Sequence, residues 1–539
     1  NTVVGKDAGE SLTTGDNNTI VGKGAGKAIV GGDDNTIIGK QAAIATTAGT
    51  NMTIIGKGAG GVGVIESGAA GTVAVGYESC QDLTSGANNT GLGYRTLKEL
   101  TDGQDNTAVG REAGLNIAGG DHNTAVGAFA GDAMTGTSKT TLIGNYAGSA
   151  INHNDATGTT AVGYQAGASI TSGEYSTALG HEALYSSQTG NACTAIGYTA
   201  LRSVNKDGNS SCTAVGMQAG YSVTDGVQNT IVGVDALKLM ASGDNNTAIG
   251  YKALEDNNED AINRNTAVGC KAAMNLTTAI KTVAIGDDAI GSGVCTGDSN
   301  TAVGQGALYS ATSATSTTAI GADALGHNVD GNNSVGIGRE AGKQDTSSNN
   351  VTQPANCVYI GRDCRAHDAT PVNQIVIGYE ADGVADNMAT IGNENITRVY
   401  GGHDAGATFY GAGQSWSDKR IKKNVKDIGL GLDFINKLSP IQFTKKQPND
   451  YDDSLKSKIK TKLRVIEETE LKRVRPGFLA QDVLEVLKEF NFSTNNSIVQ
   501  IDDISTQHSM DYESLVVPLV KAVQELSQQV EDLKKQINK

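Results

Sequence analysis

The densest group of chemically capable side chains in this 539-residue chain is Ser417-Asp418-Lys419-Arg420-Ile421-Lys422-Lys423, a hydroxyl and a carboxylate followed by four cations. A serine hydroxyl is a weak nucleophile until a base removes its proton. Free lysine, with a pKa near ~10.4, is such a base only where desolvation or neighbouring cations make it neutral. Taken alone, the cluster has a simpler reading, with Ser417 or Asp418 capping a helix and the basic residues on its solvated face. Elsewhere the raw material is thin. His403 has no second histidine or cysteine near it, so even three copies around an axis make a poor metal site. The seven cysteines (Cys80, Cys193, Cys212, Cys270, Cys295, Cys357 and Cys364) are odd in number and have no C-x-x-C spacing, which argues against a disulfide framework or a zinc site. They read as small buried residues of a protein made in a reducing cytosol, and no metal or cofactor is expected. Acid pairs such as Asp33-Asp34 and Asp287-Asp288 fall in separate polar turns, not gathered in a groove as glycan hydrolysis requires.

What positions these residues follows from an unusual composition. Glycine supplies 70 of 539 residues and aromatics only 4%, with one tryptophan. So few large side chains build a stacked repeat of small residues more readily than one globular core. Collagen is excluded by six prolines and no three-residue glycine period, and sustained disorder by 38% hydrophobic residues in regular short clusters. No run of about 20 apolar residues could cross a membrane as a helix. Residues 417–539 hold 21 Lys and Arg against 19 Asp and Glu, a net of +2; the whole chain carries −16, so residues 1–416 carry −18. Such an acidic stretch repels nucleic acid and anionic lipid. Asn1 stands inside a repeat unit, which predicts a further N-terminal part that attaches the protein to a larger particle.

The repeat is Asn-Thr-Ala-Val-Gly, as in Asn106-Thr107-Ala108-Val109-Gly110 and Asn265-Thr266-Ala267-Val268-Gly269. Its glycine recurs 23 times between Gly5 and Gly392. The commonest interval, as from Gly5 to Gly22 and Gly22 to Gly39, is about 17 residues, half of what a helical-hairpin repeat needs. Thr and Val alternating with small residues is instead the two-residue period of a strand. Each unit is therefore one coil of a β-solenoid, with ladders of Asn, Thr and Val at ~4.8 Å spacing and a length of roughly 110 Å. The longer intervals, Gly56 to Gly76 and Gly338 to Gly361, become loops. Cys193 and Cys212, each four positions before its coil glycine, take the place of Asn in the ladder. An open stack needs capping at its ends.

The pattern stops at Val399-Tyr400. A Gly-rich stretch over 401–416 follows, carrying Phe409, Tyr410 and Trp416, and after it lysine becomes frequent and glycine scarce. Helical periodicity appears over 428–438, 479–490 and 512–537. In the last, Leu519, Val523, Leu526, Val530, Leu533 and Ile537 are spaced 4, 3, 4, 3, 4, a coiled-coil seam.

Two resemblances follow from these motifs. The Asn-Thr-Ala-Val-Gly-x-x-Ala-Gly pattern over about 1–392 resembles the β-roll of trimeric autotransporter adhesin heads, though adhesin coils are typically shorter. Whether each chain coils alone as a parallel β-roll or three wrap together in a triple β-helix stays open. Ser417-Asp418-x-Arg420-x-Lys422, Leu438-Ser439-Pro440, Gly477-Phe478-Leu479-Ala480-Gln481-Asp482-Val483 and Tyr512 to Leu526 resemble, in order, the elements of endosialidase-type intramolecular chaperones. That resemblance implies a small α+β domain over 417–539 that trimerises, templates an upstream β-fibre and cuts itself off before Ser417. It maps a Ser–Lys dyad onto Ser417 and Lys422, with the scissile bond Trp416–Ser417. The expected protein is a homotrimeric viral tail fibre: a solenoid over 1–400, a tip and linker over 401–416, and a chaperone over 417–539. It is made in the host cytoplasm, carried on the virion, joined to other tail proteins and bound to a host receptor. Tyr400, His403, Phe409, Tyr410 and Trp416 are the receptor-tip candidates, and nucleic-acid binding and membrane insertion are not expected. The competing classes are a bacterial trimeric adhesin, which should end in a membrane β-barrel; a fibre with a glycan-degrading shaft; and an ice binder, which should show paired threonine columns.

Overall fold

The computed structural model describes residues 1–65, 67–204, 208–255, 263–396, 428–444, 446, 447, 450, 472–492, 498–501 and 508–538. The chain divides into two compact units, Asn1–Thr397 and Arg398–Lys539.

The first unit is a parallel solenoid that one chain makes by itself. Short strands, Thr2–Val4, Thr19–Val21, Thr36–Ile38 and onward, join into one 23-stranded sheet. Each pairs in parallel with the next coil, identical positions opposite one another: Thr2 with Thr19, Thr19 with Thr36, Thr107 with Thr124. The pairing lies within a single chain, which settles the cross-section in favour of the β-roll. Backbone groups of the turns are stitched along the axis as well, Gly24 N–H donating to Lys6 C=O and Gly26 N–H to Ala42 C=O, each at 2.8 Å. Turn peptides thereby find partners on the next coil in place of water.

Glycine recurs because two constraints coincide at its position. At Gly110 φ is +129°, a backbone conformation that L residues rarely adopt. A Cβ there would also lie 2.7 Å from the carbonyl carbon of Gly127 on the next coil. The same collision with the next coil glycine recurs along the stack. Further turns use the left-handed region without glycine, as at Asp34, Gln41 and Ala43, with φ of 59°, 59° and 47°. Each costs of order 1 kcal/mol, and the axial hydrogen bonds hold them there.

The outer residues of each strand point away from the coil and the middle one points in, so burial along Thr107–Val109 runs half-buried, buried, half-buried. The core is one continuous cluster. It combines strand centres (Ile20, Ile37, Ala108), the alanine three positions after many of the glycines (Ala25, Ala42, Ala113) and an aliphatic residue four further on (Ile29, Leu100, Ile117). Beside it runs a buried asparagine ladder. Asn106 Nδ2 donates to Gly120 O at 2.8 Å and Asn89 Oδ1 at 3.1 Å, while its Oδ1 accepts from Asn123 N at 3.0 Å. Cys193 and Cys212 stand in this ladder as free, buried thiols. So does Cys357, whose Sγ donates to Pro371 O at 3.4 Å. Six of the seven cysteines are buried, but Cys270 is exposed, because it follows Gly269 on the outward edge of its coil. The long coil between Gly56 and Gly76 carries a 3-10 turn at Ser67–Ala69. The coil between Gly338 and Gly361 closes a small loop on Asp345, whose Oδ1 accepts from Ser347 N and Asn349 N, both at 2.8 Å. Acids of the ordinary turns serve the same end. Asp33 Oδ1 accepts from Asp16 N at 2.7 Å, and Asp121 Oδ1 from Gln104 N at 2.8 Å.

In the second unit, helix α1 (Leu432–Lys437), helix α2 (Ala480–Glu489) and helix α3 (Val516–Ile537) accompany two antiparallel pairings, Ile441–Phe443 with Arg475–Gly477 and Val499–Ile501 with His508–Met510. Leu430, Phe434, Val483, Leu487, Ile498, Val499 and Leu515 belong to its core, with Phe434 edge-on to Phe490 at 5.8 Å. The helices fall inside the segments whose periodicity predicted them.

Candidate functional site

The elements that define the C-terminal unit meet at one place. Pro440 introduces the strand Ile441–Phe443, which pairs with Arg475–Gly477 and sets Gly477 opposite Ile441. Gly477 lets the two rings close in, because a Cβ there would lie 2.7 Å from Tyr512 Oη and 2.9 Å from the Phe443 ring and force them to shift. The next residue, Phe478, donates its N–H to Tyr512 Oη at 3.1 Å. Tyr512 thus fastens the strand end to the start of α3. Ile435, Leu438, Pro440, Phe478, Leu515 and Leu519 line an apolar groove of about 160 Å³ beside this junction.

Among the described residues, helix α3 is secured to the unit through its first turns. Pro518 and Ala522 are buried, and Glu525 Oε2 accepts from Leu432 N at 2.7 Å, which caps α1. Gly431 makes room, since a Cβ there would collide with the Glu525 carboxylate. Lys521, at 3.9 Å from Glu525, balances its charge. The seam residues Leu519, Val523, Leu526, Val530, Leu533 and Ile537 are 42% to 81% exposed. Among the described residues of one chain, nothing covers most of this apolar row.

The solenoid leaves a second apolar surface open. The third residue of each strand faces outward, so Ile38, Leu92, Ile143, Leu179, Ile249 and Ile320 belong to a ribbon running the length of the sheet, each 37% to 47% exposed. An aliphatic ribbon this long is far from the scattered apolar residues of an ordinary monomer surface.

Ser417 and Lys422, the scissile pair Trp416 and Ser417, and the tip candidates Tyr400, His403, Phe409 and Tyr410 all lie outside the described residues. Among the described residues, one group with metal-ligand chemistry stands together: His367, Asp368 and Asp386, their ligand atoms within 4.8 Å of one another. Sequence reasoning missed it because Asp386 comes from the next coil. His367 and Asp386 are exposed, and Asp386 already accepts from Val372 N at 2.8 Å. No described helix is long and apolar enough to cross a membrane.

Residues 417–491 match the family model described as chaperone of endosialidase. No curated protein matches the chain. A parallel solenoid of short, regular coils, followed by a segment that matches this chaperone family, fits a tail-fibre-like protein with a C-terminal endosialidase-type chaperone domain.

Proposed function

We propose that three copies of this chain form a viral tail fibre that attaches to a host receptor, and that the C-terminal unit drives its assembly and is then cut away between Trp416 and Ser417. The observation that carries this reading is the chaperone match at 417–491 on a chain with two uncovered apolar rows, the solenoid ribbon and the α3 seam. Heptad spacing suits a multi-stranded coiled coil. Once the seam gathers three chains, their solenoids lie side by side and the ribbons can bury one another, at ~25 cal/mol per Å² of apolar surface removed from water.

In the cleavage step Lys422 Nζ takes the proton of Ser417 Oγ, which attacks the carbonyl carbon of Trp416. The C–N bond breaks, the amine of Ser417 leaves protonated, and an ester joins Trp416 to Ser417 Oγ. Water then hydrolyses the ester, leaving a carboxylate on Trp416 and the serine hydroxyl free. Lys419, Arg420 and Lys423, brought together threefold in the trimer, favour a neutral Lys422. Coupling the cut to assembly makes cleavage a report of correct folding. The released shaft then ends near 393–416, where Tyr400, His403, Phe409, Tyr410 and Trp416 offer ring faces to a receptor.

Intact mass and gel analysis of wild type beside Ser417→Ala and Lys422→Ala tests this. The expected result is a wild-type fragment beginning at Ser417 and two full-length variants. A wild-type chain that trimerises yet stays whole overturns the cleavage, and a monomer that still cleaves overturns its coupling to assembly.

A further inference from the structure

The residue immediately after each coil glycine lies on one outward edge of the solenoid, so these residues form a column with one member per coil. On the first four coils the column reads Lys6, Lys23, Lys40, Lys57, and it continues Tyr77, Tyr94, Arg111. All four lysines are exposed. The coils are in register, so their stems rise from backbone positions about 4.8 Å apart. Like charges directly opposite one another in a sheet oppose pairing, and here four follow in succession on a stretch with a net charge of −18. The rings then take over the same line. Tyr77 stacks on Tyr94 with centroids 5.3 Å apart and planes within 8°, and Lys57 Nζ sits 5.2 Å over the Tyr77 ring. Farther along, Tyr164, His181 and Tyr198 stack at 5.1 and 5.2 Å. The column carries no acid from Lys6 through Tyr251 and meets its first at Asp287.

We infer that this column is a lateral binding track for a linear acidic polysaccharide, whose carboxylates pair with the lysine row and whose sugar faces rest on the tyrosine rings. A block of cations that runs directly into stacked rings on one line suits an anionic sugar chain better than either a bare polyanion or a neutral glycan. A polyanion would need only the charge, and a neutral glycan only the rings. The inference rests on the host-attachment reading and gives its receptor a chemical class, adding contact along the shaft to that at its tip.

The experiment uses the full chain and hyaluronate as the carboxylated probe, with neutral dextran and a single-stranded oligonucleotide as comparisons. Variants are the Lys6, Lys23, Lys40, Lys57→Gln quadruple and Tyr77→Ala with Tyr94→Ala. The lysine variant removes exposed charge and one surface cation–ring contact at Tyr77, so circular dichroism and mass in solution stay as in wild type. The expected result is salt-dependent hyaluronate binding that falls by about tenfold or more in each variant, with negligible binding to dextran. Equal binding to hyaluronate and the oligonucleotide, with no effect of the tyrosine substitutions, overturns the sugar assignment. Unchanged hyaluronate binding in the lysine variant, or a change in its oligomeric state, overturns the track itself. Trimerisation and cleavage are read separately by mass, so a failure here is distinguishable from failure of the fibre reading.

Discussion

Replacing Asn106 by Ala tests whether the buried asparagine ladder holds the coils together. The side chain is 1% exposed and its two ends serve three neighbours: Gly120 O, Asn89 Oδ1 and Asn123 N. Asn89 Oδ1 keeps a partner in the backbone N–H of Asn106, at 2.9 Å. Gly120 O and Asn123 N lose these partners inside a dry wall. Each orphaned buried group costs ~1–3 kcal/mol, so the two together cost roughly 2–4 kcal/mol once the wall relaxes. Because a solenoid opens locally through neighbouring repeats, the informative assay is native-state hydrogen exchange of a peptide containing Asn123, alongside the urea midpoint. The loss corresponds to about 30- to 700-fold faster exchange around that amide, at ~1.4 kcal/mol per factor of ten. Asn106→Ser should recover part of it. The ladder already accommodates a serine hydroxyl at Ser176, which donates to Gly190 O at 3.1 Å. If Asn106→Ala exchanges within twofold of wild type, the asparagines fill space and do not bond the coils.

The other expectations are more local. Gly110→Ala combines a φ of +129° with a Cβ 2.7 Å from Gly127 C; it should disrupt packing there and appear as protease cleavage within adjacent coils, whereas Ala128→Ser should not. Leu526→Asp on α3 should abolish trimers in light scattering while leaving the helical signal largely intact, because Leu526 is 49% exposed in the single chain. Burial lifts the Asp132 carboxyl to about 6, above an unfolded value of ~3.9. The folded state therefore binds the proton more tightly, and the stability it contributes below pH ~4 is lost as pH rises through about 6. Asp132→Asn should then raise the urea midpoint at pH 8 relative to wild type and leave it unchanged at pH 3.5. Burial pushes the Cys80 thiol up to about 12 and Cys193 to about 11, so iodoacetamide should label Cys270 well before either in the native chain.

The solenoid was legible because its information is repetitive. An error at one coil is corrected by all the others, and a short regular spacing with Thr-x-Val ending in Gly admits little besides a stacked strand. The replacement of ladder asparagines by Cys193 and Cys212 followed from position alone and the three described helices of the second unit from their periodicity, whereas the strand entry at Pro440 came only through the resemblance to the chaperone elements. The exposure of Cys270 was not legible. A cysteine in an aliphatic repeat reads as core unless its offset from the coil glycine is tied to a direction in space, and that direction is set by the turn. The meeting of Gly477, Phe478 and Tyr512 was likewise hidden, since a whole helix and a strand pairing lie between Phe478 and the hydroxyl that accepts its amide proton.

Period, strand identity and the change of character near residue 400 belong to the sequence by itself, because they depend on local residue types and their spacing. Only the tertiary structure could decide that each chain coils alone, since intrachain and interchain strand pairing obey the same local pattern and differ only in which coil is the neighbour. It also decided which side of each strand is open. Thr and Val flank a small residue, and hydrophobicity alone would turn the valine inward. The coil interior is already filled by columns of alanine and larger aliphatic residues, so the valine and isoleucine side chains face outward and form the ribbon.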